Sequence, residues 1–151
     1  MTSVIASNPG SSMATSRRGL GITLWVLQVA LGLFFMMVGY SHAIAPFDQV
    51  SQQAVWMQHV ARALSLFIGY AELAGGLGLI IPAATRIAPW LTPLAALGLA
   101  TIMILAILFH IVRGEAGVVG VPALLATLAL FVAWGRWRKA PISPRKGKSN
   151  G

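Results

Sequence analysis

Cysteine is absent from the chain. That absence removes disulfide exchange, thiolate nucleophiles, iron-sulfur clusters and cysteine zinc sites in one step, and it leaves the redox compartment open. Charge is scarce too: 9% of the 151 residues are charged against 57% hydrophobic, far from the balance of a water-soluble domain. No nucleotide-binding motif and no convincing internal repeat can be found. The net charge of +8 does not point to nucleic acid, because six of the eleven basic residues fall within 136–148, beside the last apolar run. Such a cluster suits anionic lipid headgroups and the positive-inside bias of membrane proteins.

What the chain has instead is four apolar runs, 20–40, 64–81, 90–112 and 118–137. A bilayer core of about 30 Å needs roughly 20 helical residues at about 1.5 Å each, so each run is long enough to cross it. The expected fold is all-α, a four-transmembrane-helix bundle over 19–139 in contact with the lipid bilayer. It is flanked by a serine-rich disordered tail, 1–18, and a basic disordered tail, 140–151. The first run imitates an export signal, with Arg17 and Arg18 before it and Ala43, Ile44 and Ala45 after it. It exceeds the roughly 7 to 15 residues of a signal core, and Pro46 follows the supposed cut, so it reads as a retained helix.

Lysine and arginine set the orientation. Arg17, Arg18, Arg86 and the six basic residues of the C-terminal region fall on one side of the spans, and Arg62 and Arg113 on the other. The nine-residue side is expected to be cytoplasmic, with both termini there, in a cell (inner) membrane. Trp25, Trp56, Trp90, Trp134 and Trp137 all fall near expected interfaces. The connections 85–89 and 114–117 are short and make their helices antiparallel neighbours. In the long outer connection, 41–61, Phe47, Val50, Ala54 and Met57 recur at helical spacing while Asp48, Gln49, Gln52 and Gln53 fill the other side. This is either a short interfacial helix acting as a lid or a helical extension of the second span.

Glu72 stands out as the candidate catalytic group. It sits about ten residues inside a span, where a charge costs on the order of 2.5 to 3.5 kcal/mol. Ser65, Gly69, Gly75, Gly76 and Leu79 share its side of the helix, a small and polar stripe suited to the bundle interior. Counted by depth, Gln28, Thr101 and Thr127 fall near its level and make up an expected midplane polar layer around it. The plainer reading is that the threonines bond back to their own helices and that a buried carboxyl only fixes helix register. Gln28 begins a second stripe with Gly32, Phe35, Gly39 and His42.

Nearer the outer surface, His42 and His110 end two helices that run in the same direction, with Arg62 and Arg113 close by. These four are candidate ligand-binding residues for an anionic or quinone-like headgroup, since imidazole and guanidinium donate to carbonyl oxygens. Against that, arginines snorkel to headgroups and histidines are tolerated at span ends without a task. For His59, in the loop, that plainer reading is preferred.

With these residues in place, the chain resembles the DoxX-like family of small four-helix membrane proteins over 24–137. The stretch IGYAELAGGLGLIIPAATRI is similar to the family's acidic second helix, and PWLTPLAALGLATIMILAILFHIVRGE to its third, closed by His110, Arg113, Gly114 and Glu115. LFVAWGRW is similar to its last helix end. Where many members carry a lysine after a glycine at the end of the first helix, Gly39, Tyr40 and Ser41 here lead to His42, which holds no permanent charge. The resemblance implies association with quinone-linked redox chemistry, as a membrane subunit beside a redox partner protein, but fold likeness alone does not establish activity.

Three functional readings follow. A quinone-linked oxidoreductase subunit needs an electron donor, which a chain without thiol pair or nucleotide motif must take from a partner protein or a bound cofactor. A non-enzymatic scaffold or assembly factor explains everything but the cost of Glu72. A small-solute carrier calls for glycine and proline breaks at midplane, whereas the prolines here lie near span ends. Haem held between His42 and His110 ranks behind quinone as a cofactor. Oligomeric state is left open.

Overall fold

The computed structural model describes the backbone of residues 9–145 and the side chains of 18–145. Among these residues the architecture is helical: α1 (Pro9–Ala43), α2 (Phe47–Gln53), α3 (Arg62–Thr85), α4 (Leu91–Val112) and α5 (Gly120–Trp134). Short 3-10 turns occupy Val55–His59 and Ala116–Val118, and α5 passes into a π-turn at Gly135–Lys139. Four segments are long and apolar enough to span: Arg18–Ala43, Arg62–Thr85, Leu91–Val112 and Gly120–Lys139, of 26, 24, 22 and 20 residues. In each, a third or less of the apolar stretch is buried inside the bundle. Side chains such as Ile22, Leu33, Phe67, Leu105 and Leu124 therefore face outward, which an apolar solvent tolerates and water does not.

α1 and α3 meet along a seam of glycines. A Cβ on Gly39 would lie 2.6 Å from the Gly69 carbonyl oxygen and 2.7 Å from the Leu73 nitrogen; one on Gly76 would lie 2.6 Å from the Gly32 oxygen. These neighbours are backbone atoms, so only glycine lets the two helices approach this closely. The other small face of α3 turns to α4, where Gly75 abuts the Leu99 side chain and Gly78 the Ala95 methyl. Leu31, Phe35, Leu79, Ala96, Leu99, Ala126 and Val132 fill the space between the four long helices. Pro93 and Pro122 sit in the first turns of α4 and α5, where a helix loses no hydrogen bond to them.

The outer connection is separate from α3 and not an extension of it, but its expected single helical period breaks at Ala54, with α2 before it and the 3-10 turn that carries Met57 after it. Met57 and Ser51 are buried and Asp48, Gln49, Gln52 and Gln53 exposed, and Gln58 Nε2 donates to the Ser51 carbonyl at 2.8 Å to hold the two halves together. Val60 is extended, with φ −130° and ψ 158°, and separates this cap from α3.

Both expected tails differ in part. α1 reaches back to Pro9, because extending an existing helix adds a hydrogen bond per residue without a new nucleus; residues 1–8 lie outside the described residues. Residues 140–145, expected as the start of a disordered tail, have no regular secondary structure but are bonded to the turn between α3 and α4. That turn opens with Arg86 in the left-handed region at φ 59°. Arg86 Nε donates to the Ser143 carbonyl at 3.1 Å, and the Arg145 amide donates to the Arg86 carbonyl at 3.0 Å. Pro141 and Pro144, with φ fixed by their rings, keep this segment from continuing the helix. Residues 146–151 lie outside the described residues.

Candidate functional site

The two stripes that carry Gln28 to His42 and Ser65 to Leu79 face one another, and their outer ends bring a base to an acid. His42 Nδ1 and Glu72 Oε2 are 2.8 Å apart with one hydrogen bond between them. Glu72 is 2% exposed. The Trp56 ring of the cap stands edge-on to the His42 ring at 5.1 Å between centroids. The pair exists because α1 ends early: a Cβ on Gly69 would lie 2.7 Å from the Ala43 nitrogen, so the end of α1 packs about two turns inside α3. The 44–61 connection fills the space left above it.

This geometry corrects the expected midplane layer. Gln28 is fully buried, but its Nε2 donates to the Leu79 carbonyl and its Oε1 accepts from Arg136 Nε at 2.8 Å. Thr101 and Thr127 are exposed and donate back to the carbonyls of Leu97 and Ala123, at 2.9 and 2.8 Å. Glu72 is thus partnered by His42 and by none of the three. Depth counted from span ends assumes that all ends lie level, and α1 breaks that assumption.

His110 closes the opposite wall. Gly114, at φ 75°, turns the chain at the end of α4 so that the Glu115 amide donates to the His110 carbonyl at 2.8 Å. The Glu115 carboxylate then accepts from His110 Nδ1 at 2.7 Å and from Arg113 Nε at 2.9 Å. The hydrogen bond from His110, followed by that from Arg113, holds the Glu115 carboxyl below the usual glutamate range. The Glu115 contribution to stability is therefore lost only as pH falls through that lowered value. Arg113 also lies over the Phe109 ring, 5.5 Å from its centroid.

Between these walls runs an apolar cavity of about 410 Å³, bounded by residues of α1, α3, α4, α5 and the cap. His42, Glu72 and His110 line it together with Trp56, Phe35 and Met103. The two arginines expected in the same pocket do not. Arg62 lies over the Phe47 ring at 4.6 Å and donates to Ser65 Oγ at 3.3 Å, while Arg113 is spent on Glu115. A flexible cationic side chain finds aromatic and carboxylate partners at the rim more readily than it enters an apolar space.

Three participants escaped the sequence reading. Glu115 orders His110, Trp56 braces His42, and Arg136, counted with the basic tail, is a buried partner of Gln28. Gln28 carried a usable signal, since a lone amide deep in a span needs a polar partner from another helix.

The arrangement places two imidazoles, each ordered through Nδ1 by a carboxyl group, on one apolar cavity. Such rings can take a proton at one nitrogen and release it at the other. Searches among curated proteins and solved structures give no match. The model of the DoxX-like family matches residues 26–132, from inside the first span to inside the last, and the chain belongs to that family.

Proposed function

We propose that this DoxX-like protein is the membrane subunit of a quinone-linked redox system, holding a quinone headgroup in the cavity between His42 and His110. One observation carries the reading: a ligand-sized, apolar cavity inside a bilayer-spanning bundle whose few polar groups are two histidines and a buried acid. Reduction of a bound quinone consumes two electrons and two protons. The electrons come from a partner protein or a cofactor bound to one, since the chain has no thiol pair. The protons are the task of this chain. Glu72 and His42 share a hydrogen bond at the cavity wall, so Glu72 passes a proton to Nδ1 while Nε2 releases one toward the headgroup. His110, oriented by Glu115 through Nδ1, bonds the opposite carbonyl oxygen through Nε2 when its ring is doubly protonated, and gives the second proton there.

Lipid extraction of the purified protein followed by mass spectrometry tests this. Quinone at close to one per chain, lost in His42→Ala and His110→Ala variants that remain folded, is the expected result. A Soret band that disappears in the same variants would replace quinone by haem. Neither quinone nor haem would favour the scaffold reading, which the membership of His42 and Glu72 in the α1–α3 seam supports.

The proposal includes insertion into a cell (inner) membrane with both termini cytoplasmic, on the basis of the nine-to-two distribution of basic residues. A reporter active only outside the cytoplasm should be silent when fused after Gly151 and active when inserted in the 114–117 turn. The reverse pattern would overturn the orientation.

A further inference from the structure

At the far end of the bundle, where α5 leaves through its π-turn, Arg136 is 6% exposed. A guanidinium stays protonated, so its charge is buried with it. Among the described residues no carboxylate compensates it. The chain's acids are Asp48, Glu72 and Glu115; the last two are engaged with His42, His110 and Arg113, and Asp48 lies in the cap. Arg136 Nε donates to Gln28, Nη1 makes one long bond of 3.4 Å to the Ala140 carbonyl, and Nη2 is buried without a partner among the described residues. The Trp25 ring, 5.3 Å away, supplies a π face but no acceptor. A fixed, buried cation with under-used donors along one edge calls for an anion.

Arg136 also lines a cleft of about 370 Å³ between the start of α4 and the 140–145 segment. Its walls are apolar and interfacial, including Pro89, Trp90, Leu94, Trp137 and Ile142. Trp90, Leu94 and Trp137 are themselves exposed at the bundle surface, so the cleft is continuous with the surface that contacts lipid. Arg86, Arg138 and Lys139 add positive charge at the same end. We propose that this cleft binds the phosphate of an anionic phospholipid, with Arg136 as its counter-charge and Trp90 and Leu94 against the glycerol and upper acyl chain. A free phosphate offers the same acceptor oxygens but nothing for the apolar walls, which is why the lipid is favoured.

Native mass spectrometry of the detergent-purified full chain, titrated separately with phosphatidylglycerol and phosphatidylcholine, is the test. Retention of phosphatidylglycerol about tenfold above phosphatidylcholine is expected for the wild type. The preference should vanish in Arg136→Gln. Because that change also leaves Gln28 without its partner, Leu94→Trp is the second variant: it fills the cleft and keeps the charge, and it too should lose the preference. Thermal stabilisation by millimolar inorganic phosphate, absent in both variants and without lipid preference, would keep the anion site and assign it to a free anion. Equal retention of the two lipids without any effect of phosphate, or a phosphatidylglycerol preference unchanged in Leu94→Trp, would overturn the proposal.

Discussion

Replacing Gly39 by alanine is expected to lower the thermal stability of the purified bundle by about 1–3 kcal/mol, and replacing it by leucine to prevent recovery of folded protein. The added methyl would meet the Gly69 carbonyl oxygen and the Leu73 nitrogen at 2.6 and 2.7 Å, well inside van der Waals contact. Neither atom can rotate away, since both belong to the α3 backbone. Relief requires α1 and α3 to separate along the whole seam, which also pulls His42 from Glu72. Gly98 is the internal control, with nothing within 4 Å of its added Cβ. Gly98→Ala should be neutral or stabilising, because alanine is the better helix former by about 1 kcal/mol. Equal melting temperatures for the two alanine variants would show that the seam does not depend on glycine.

Removal of one member of the His42–Glu72 pair should cost more than its polar replacement. His42→Ala leaves Glu72 buried with no other hydrogen-bond partner among the described residues, and Glu72→Leu strands His42 Nδ1; each should destabilise by about 1–3 kcal/mol. Glu72→Gln retains a side-chain oxygen and an amide that can each bond Nδ1, so its loss should be the smallest of the three. The double variant, His42→Ala with Glu72→Leu, should be less destabilised than the sum of the single changes, because both orphans are then gone. Thermal melts of the four variants in one detergent measure this. If Gln and Leu at position 72 are equally stable, or the single effects simply add, the two side chains are not coupled. The Gln variant also separates folding from function: it should remain folded but fail to pass a proton.

Parts of the site were open to sequence reading because they follow from helix geometry within one segment. Glu72 stood out through the cost of a charge in a span, and the stripes from Gln28 to His42 and from Ser65 to Leu79 through spacings of three, four and seven. Phe47, Val50, Ala54 and Met57 suggested a helix in the outer connection without deciding between a separate cap and an extension of the second span. Pairings between segments were harder. Glu72 was matched to Gln28 and two threonines by equal depth, and it bonds His42 instead. The arginines at positions 62 and 113 were grouped with the histidines by depth and, for Arg113, by a shared helix face, and they turn to Phe47 and Glu115.

Hydrophobic run length was enough to fix a four-span helical bundle, because a bilayer forces every spanning backbone to satisfy its own hydrogen bonds. Small-residue spacing was enough to mark which sides of α1 and α3 could pack. What those patterns do not contain is the relative height of the helices. That was decided in three dimensions by the glycine seam, which seats Ala43 against Gly69 and so lowers His42 to the level of Glu72. At the other end, the same packing leaves Arg136 buried beside Gln28 rather than free among the basic residues that follow it. Sequence sets which side chains a helix can offer; how far one helix slides along another depends on where two backbones can touch, and that contact is a property of the pair.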